Sequence, residues 1–203
     1  QEQLLAAIPA VKSPNFMFHN QGNLSFQSVA GEWGLAYPSF SNGAVYADLD
    51  ADGDLDLVVN NMDDPAFLFR NNSNPISNPA ARFLRVELSG NRTNRDALGS
   101  TVYCYFGGKV QEQKVMSARG YLSAPEKTRH FGLGAEGKVD SLVIVWPDGL
   151  SSKIENPSIN TTVRIAYDDE VKKPHLFSFP EVDSLPLRAV AGRHQTLAGV
   201  NSQ

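Results

Sequence analysis

The densest group of chemically competent side chains in this sequence is a short acidic stretch. Five aspartates occupy alternate positions there: Asp48, Asp50, Asp52, Asp54 and Asp56. Two unit charges about 4 Å apart repel by about 4 kcal/mol at an effective dielectric constant near 20, so such a cluster is costly unless a cation lies within it. Ca²⁺ accepts about six to eight oxygen ligands in flexible geometry. The stretch therefore predicts a calcium-binding loop.

The spacing of the aspartates predicts which oxygen atom each of them contributes to the ion. The first three supply side-chain oxygens from positions 1, 3 and 5, and Asp56 supplies another from position 9. Asp54, at position 7, contributes its backbone carbonyl oxygen. Gly53, at position 6, allows the sharp turn because a residue without Cβ readily adopts a positive φ.

The residues on either side of the loop are typical of β-strands. An EF-hand needs helical flanks and a bidentate acidic ligand at position 12, where this sequence has Val59. Residues 43–47 and 55–59 are instead rich in β-branched and partly alternating apolar side chains. The loop is therefore predicted to connect two strands. The alternative is an acidic, solvated hairpin tip that binds no metal.

The loop and its surroundings resemble the FG-GAP (VCBS, integrin-type) β-propeller repeat. The matching phrases are Phe16–Asn20, Gly22–Phe26, Trp33–Leu35, Ser41–Asp48 and Ala66–Asn71. The resemblance implies a four-stranded blade whose aspartate loop binds Ca²⁺ between two strands. A propeller needs about four or more blades to close. The resemblance therefore implies either neighbouring blades from a longer parent chain or packing of this blade onto the rest of the chain.

The second half of the sequence predicts another all-β unit. Strands are expected at 83–88, 101–106, 109–116, 139–146, 150–155 and 161–167. Gly107-Gly108 between two of them is a strong hairpin signal, and the apolar run 139–146 indicates a central strand. About six to eight strands at this spacing favour a β-sandwich.

This half resembles the ASPIC/UnbV domain. The matching phrases are Asn91–Ser100, Ser117–Ser123, His130–Gly134, Val139–Ser141 and Val145–Gly149. That family is found beside FG-GAP repeats in secreted and surface proteins, and the resemblance implies no catalytic residues.

The expected fold class is all-β, with short antiparallel strands forming a blade-like unit that is packed with or linked to a β-sandwich. The expected segments are an N-terminal segment 1–13, an FG-GAP-like calcium-binding unit 14–72, a polar linker 73–81, an ASPIC/UnbV-like sandwich 82–167, and a C-terminal extension 168–203 of unassigned fold.

Composition excludes several classes of function. The net charge is −4 and the basic residues are scattered, so no nucleic-acid footprint is present. No apolar run reaches the ~18 residues of a membrane span, so no membrane insertion is expected.

Cys104, the single cysteine, lies in an apolar run and is interpreted as a buried structural thiol. Weak calcium loops suit millimolar extracellular calcium, which favours the periplasm, the cell surface or secretion.

The remaining polar residues give no catalytic site. Ser123 and His130 could form a nucleophile and base, but nothing in the sequence brings them together. Arg92 and Arg95, in a polar loop, could grip a carboxylate or a sugar, although a structural loop is favoured. Core or interface packing is likewise favoured over sugar stacking for four aromatic residues: Trp33, Tyr37, Tyr121 and Trp146.

The sequence thus favours a non-enzymatic, calcium-stabilised extracytoplasmic β module. It would act as a scaffold or recognise a protein or glycan, as a segment of a larger repeat protein. The alternative is a carbohydrate-active hydrolase with its cleft on the ASPIC-like half.

Overall fold

The computed structural model describes residues 11–73, 78, 80–168 and 173–174. These residues form fifteen β-strands and no helix, so the all-β prediction is confirmed and no helix there could cross a membrane. Most of the expected end segments, 1–13 and 168–203, and more than half of the expected linker 73–81 lie outside the described residues.

Residues 11–73, here called the N-terminal half, form three small sheets. Their strands are β1 (Ser13–Pro14), β2 (Phe18–Asn20), β3 (Phe26–Ser28), β4 (Pro38–Ser39), β5 (Ser41–Ala47), β6 (Asp56–Asn61) and β7 (Phe67–Phe69). Two sheets are the pairs β1-β4 and β2-β3, and the third has the order β5-β6-β7. β5 and β6 are antiparallel, with Ala47 opposite Asp56. The predicted strand pair around the aspartates is therefore confirmed.

Residues 80–168 with 173–174, here called the C-terminal half, form two larger sheets. Their strands are β8 (Arg82–Ser89), β9 (Thr101–Phe106), β10 (Lys109–Lys114), β11 (Arg129–Gly134), β12 (Ser141–Val145), β13 (Leu150–Glu155), β14 (Thr162–Ala166) and β15 (Lys173–Pro174). One sheet has the order β10-β9-β12-β13-β15, so β12 is central, as the sequence predicts. The other has the order β11-β8-β14, in which β8 and β14 run parallel.

The hydrophobic core lies between these two sheets. Its buried cluster is Leu84, Val86, Ala97, Val102, Cys104, Phe106, Phe131, Leu133, Val139, Leu142, Ile144, Trp146 and Ile165. Alternate residues of both sheets contribute to it, as in a sandwich. Burying one large aliphatic or aromatic side chain contributes about 1.5–3 kcal/mol, so this cluster is the main source of stability in the described chain.

Two turns of the C-terminal half show where sequence reasoning succeeds and fails. Gly107 and Gly108 both have positive φ (53° and 72°) and join β9 to β10, which confirms the predicted hairpin. Strand β11 was not predicted, because Gly132 and Gly134 have low β propensity. The register of β11 against β8 shifts between these two glycines, so the strand is bulged where they occur.

Candidate metal centre

Residues 48–55 form the loop that joins β5 to β6. Gly53 adopts φ +94°, a left-handed conformation that favours glycine. A Cβ atom at this position would lie 2.1 Å from Cε1 of Phe83, which is a residue of β8. Glycine is therefore required here both for its backbone conformation and for the space that the phenyl ring occupies.

Three carboxylates converge at the start of this loop. Asp48, Asp50 and Asp52 each offer an oxygen, and these oxygens all lie within 4.8 Å of one another. The Asp48 side chain is 1% exposed, and its Oδ1 atom is buried without a hydrogen-bond partner among the described residues. A buried, unpartnered carboxylate oxygen beside two other carboxylates fits the donor set that Ca²⁺ prefers. The residues present therefore fit a calcium ion.

Two arginines offset part of the negative charge of the loop. Arg70 Nη2 lies 2.8 Å from Asp50 Oδ2 and 3.5 Å from Asp52 Oδ2. Arg85 Nη1 donates to Asp48 Oδ2 at 2.8 Å, while its Nη2 donates to Glu126 Oε1 at 2.6 Å. Since Arg85 is shared with Glu126, the two guanidinium groups leave the five-aspartate stretch with excess negative charge.

Asp56 is held away from the three-carboxylate group by backbone hydrogen bonds. It is buried, its Oδ1 accepts the N–H of Asn71 at 2.8 Å, and its Oδ2 accepts the N–H of Leu49 at 3.2 Å. The side chain thus ties the start of the loop to the segment after β7. The assignment of an Asp56 oxygen to the ion remains a prediction.

Asp54 is buried, and its side chain lies outside the three-carboxylate group. Among the described residues, neither of its carboxylate oxygens has a well-aligned hydrogen-bond partner. Burial and, to a smaller extent, the charges of Asp52, Asp56 and Asp50 raise the pKa of Asp54 to about 6, although the Ser73 N–H acts in the opposite direction. The sequence assigns only the backbone carbonyl of Asp54 to the ion, so the site as predicted gives its carboxylate no role.

The loop is docked onto the C-terminal half through residues that the sequence analysis did not assign to it. His130 of β11 makes a 2.9 Å hydrogen bond from Nε2 to the carbonyl oxygen of Gly53, and its ring stacks on Phe83 with centroids 5.7 Å apart. Burial lowers the pKa of His130. Because a carbonyl oxygen can only accept, Nε2 carries the proton in this hydrogen bond. Phe83 lies two residues from Arg85, on the otherwise polar face of β8. An apolar ring on that face is the sequence signal that could have indicated a contact with the loop.

The other polar candidates are structural. Ser123 Oγ donates to the Tyr121 carbonyl at 2.7 Å, and His130 contacts Gly53, so they do not form a nucleophile–base pair. Asn91 Oδ1 accepts the backbone N–H groups of Thr93 and Asn94 in the polar loop, as the structural interpretation predicts.

The aromatic candidates differ in their environments. Trp146 lies in the core, where its Nε1–H donates to Ser152 Oγ at 2.9 Å. In contrast, Trp33, Tyr37 and Tyr121 are each more than half exposed. Trp33 packs against His19, and Tyr37 packs against Phe67 and Phe69 of β7, so these exposed rings are partly covered by neighbouring side chains. For these three residues the choice between packing and ligand stacking stays a prediction.

Part of the chain is similar to a known family. Residues 90–172 match the family described as ASPIC and UnbV. This match covers β9 to β14 but not β8, although β8 pairs with both β11 and β14 and contributes Leu84 and Val86 to the core. The structural unit therefore begins at residue 82, before the family match does.

Three curated relatives are also similar to this chain. Cartilage acidic protein 1 of Mus musculus is 31% identical over 137 residues, which cover 64% of this chain and 20% of the relative. The proteins of the same name from Xenopus tropicalis and Homo sapiens are 31% and 30% identical over 141 residues. The chain spans about a fifth of the length of these relatives. Residues 90–172 are thus an ASPIC and UnbV match within a chain that resembles part of cartilage acidic protein 1.

Proposed function

We propose that this chain is a non-catalytic, calcium-stabilised β module of an exported protein. Ca²⁺ is held by side-chain oxygens of Asp48, Asp50 and Asp52, by the backbone carbonyl of Asp54, and by Asp56 if its carboxylate turns from the backbone. The ion fixes the β5–β6 hairpin and the docking of its loop onto β8 and β11. The module serves as a scaffold or as a recognition surface for a protein or glycan.

The observation that carries this proposal is the convergence of three carboxylates, one of which has a buried oxygen that no described residue satisfies. When bound, Ca²⁺ supplies positive charge and oxygen coordination at that point. The protein's own residues hold the donors in place: Arg85 fixes Asp48, and Asp56 fixes the backbone of Leu49. The two arginines alone do not balance the loop's charge, which favours a further cation.

The comparisons favour an extracytoplasmic, non-enzymatic role. The relatives are named for cartilage and for acidity, and neither these names nor the family description denotes an enzyme. Four clefts lined by described residues hold at most one carboxylate each, whereas glycoside hydrolysis uses a pair. No observation therefore favours the hydrolase alternative.

Thermal unfolding in EDTA, followed by addition of Ca²⁺ or Mg²⁺, tests the proposal. Binding to the native state alone stabilises by about 2.7 kcal/mol at a hundredfold excess of ligand over Kd. We expect a rise in midpoint with Ca²⁺ that Mg²⁺ does not reproduce, because Mg²⁺ requires a smaller octahedral site. An equal response to both ions would contradict a calcium-selective site.

Substitution of one ligand tests the assignment of residues. Asp50→Asn should remove most of the calcium-dependent shift, because it replaces an anionic oxygen in the three-carboxylate group. Asp63→Asn is the matched control, since Asp63 is exposed, lies outside the loop and has a positive φ (56°) that asparagine tolerates. An Asp50→Asn protein that keeps the full shift would refute the ligand assignment.

A further inference from the structure

A cleft in the C-terminal half lies where three connecting segments meet at one end of the sandwich. These segments follow strands β8, β12 and β14, so both sheets contribute to the cleft. Its volume is about 300 Å³, and its lining includes Asn91, Thr93, Trp146, Pro147, Asp148 and Tyr167. Small-ligand sites have volumes of about 300–1,000 Å³, so this cleft has the size for one small ligand.

Hydrogen bonds within the protein hold the walls of this cleft in place. In the loop after β8, Asn91 Oδ1 accepts the Thr93 N–H at 3.1 Å and the Thr93 hydroxyl at 2.9 Å. In the turn between β12 and β13, the Asp148 carboxylate accepts the Leu150 N–H at 3.1 Å and the Tyr167 hydroxyl. A site whose walls are already fixed loses little conformational entropy when a ligand binds.

These bonds determine which polar groups the cleft offers to a ligand. The structural role of Asn91 uses only its Oδ1 atom, and its Nδ2 group, with two N–H donors, has no hydrogen-bond partner among the described residues. The Thr93 and Tyr167 hydroxyl groups have given their protons to the protein, so both act toward a ligand as acceptors, as does the Asp148 carboxylate. Asn91 and Asp148 are both exposed, so a ligand can reach them.

A mixed set of donors and acceptors fits a ligand rich in hydroxyl groups. A hydroxyl group both donates and accepts, so one hydroxyl of a sugar can donate to Asp148 while another accepts from Asn91. The carboxylate disfavours an anion, and the hydrogen bond from Tyr167 already stabilises its charge, so no cation is required. Pro147 and the partly exposed Tyr167 ring add apolar surface for the C–H groups of a sugar ring.

We propose that this cleft binds one neutral sugar unit of a glycan, with Asn91 as the donor and Asp148 as an acceptor to its hydroxyl groups. The inference gives a site to the glycan recognition named in the proposed function, and it rests on that function in this respect only. It does not require the calcium ion, because the cleft lies in the half that contains the hydrophobic core. A single carboxylate fits binding without cleavage, since glycoside hydrolysis uses a pair.

The test is an NMR titration of the full chain in saturating Ca²⁺ with the methyl glycosides of glucose, galactose, mannose and N-acetylglucosamine. The signals followed are the side-chain amide of Asn91 and the indole N–H of Trp146. We expect a saturable shift of both signals with at least one glycoside. Glycerol at the same concentration of hydroxyl groups is the control for nonspecific contacts.

Asn91→Asp tests the donor, because aspartate keeps the oxygen that accepts from the loop and removes only the N–H groups. We expect it to weaken sugar binding about tenfold or more, as followed by the Trp146 signal. Asn23→Asp is the matched control and should bind normally, because Asn23 also accepts the N–H two residues on but lies in the N-terminal half. Asp148→Asn keeps an acceptor oxygen without the charge, should also weaken binding, and provides the readout if Asn91→Asp does not fold.

Several outcomes would overturn the proposal. These are no saturable shift with any of the four glycosides, an equal response to glycerol, or unchanged binding in Asn91→Asp. A response to Nα-acetyl-alanine methylamide in place of the glycosides would mean that the cleft takes a peptide, and a response to n-butylammonium in their place would mean that it takes a cation.

Repeating the titration in EDTA separates this inference from the calcium site. We expect the same sugar affinity with and without Ca²⁺, and a loss of sugar binding in EDTA would overturn the independence of the cleft from the ion. Sugar binding in a chain whose unfolding shows no calcium-dependent shift would refute calcium stabilisation and leave the sugar site intact. A calcium-dependent shift without sugar binding would do the reverse.

Discussion

In the C-terminal half, thirteen buried apolar side chains pack together between two sheets, whereas in the N-terminal half eleven large apolar or aromatic side chains between Val11 and Leu68 are exposed. The buried hydrophobic residues of the N-terminal half are only Val29, Ala30 and Val59 among those described. Its sheets have two or three strands, too few to enclose a core. The comparison indicates that the C-terminal half is stabilised by its own packing, and we propose that the N-terminal half depends on the proposed ion, on docking and on further protein.

A connected apolar surface in the N-terminal half is consistent with this dependence. Two clefts of about 310 and 520 Å³ share Met17, Leu35, Leu57 and Phe69 on the face of the β5-β6-β7 sheet. Exposed apolar surfaces of this kind mark contact sites. The neighbouring repeat units expected from the sequence are our proposed occupant, and a longer segment of the parent chain would show whether these residues become buried.

The largest expected effect concerns the rate at which the buried thiol of the C-terminal half reacts with a chemical label. Burial raises the pKa of the Cys104 thiol to about 12, so at pH 8 only about one thiol in ten thousand is ionised in the folded state. We expect Cys104 to react with iodoacetamide about a thousandfold more slowly in the folded chain than in urea. EDTA should loosen residues 45–59 without exposing Cys104, and rapid labelling in EDTA alone would show that the halves unfold together.

Replacing one phenylalanine by alanine in each half should give the next largest difference, which is in the free energy of unfolding. Phe131→Ala leaves a cavity in the core and should lower the free energy of unfolding by about 4 kcal/mol. Phe18→Ala, at a side chain that is 57% exposed, should change it by about 0.5 kcal/mol or less. Urea unfolding measured separately by Trp146 and Trp33 fluorescence, in single-tryptophan variants, reports on each half. Equal losses would contradict the comparison.

Gly53→Ala should disrupt the contact between the halves. The new Cβ meets both a left-handed φ and the Phe83 ring, and we expect a loss of about 3 kcal/mol in calcium-dependent stability. Gly22→Ala is the control, because Gly22 also has a positive φ (80°) but open space around it. Calcium titrations of both variants separate backbone strain from the collision, and similar losses would show that the Phe83 contact is unimportant.

Arg85→Met should have a smaller effect on the same contact. Arg85 is 18% exposed and joins Asp48 of one half to Glu126 of the other, so its loss leaves two carboxylates without their shared partner. We expect a cost of about 2 kcal/mol, below that of a fully buried pair because Glu126 is partly exposed. Arg164→Met, which breaks an exposed pair with Glu87, should cost about 0.5 kcal/mol or less in the same urea unfolding.

Local features of this fold could be predicted from the sequence, whereas contacts between distant residues could not. The β5–β6 strand pair, the Gly107-Gly108 hairpin and the central position of β12 follow from spacing, turn chemistry and apolar runs. The parallel pairing of β8 with β14 depends on packing between strands more than seventy residues apart.

For the candidate site too, local features could be predicted from the sequence and contacts between distant residues could not. Alternate spacing identifies the first three aspartates, which do converge. The same spacing cannot show that Asp56 bonds to the backbone and that Asp54 lines a cleft, because Asn71, Phe83 and His130 create those environments from other parts of the chain.

The hydrogen bond from the Asn71 N–H to Asp56 has a consequence for how the halves are tethered. Asn71 is held on Asp56, and Phe83 is held against Gly53, so the residues between them start and finish at the same hairpin. The described ends of the connection therefore meet at one place. Doubling the number of residues between two ends that meet adds only about 0.6 kcal/mol of closure entropy. The length of this connection can therefore vary widely without separating the two halves.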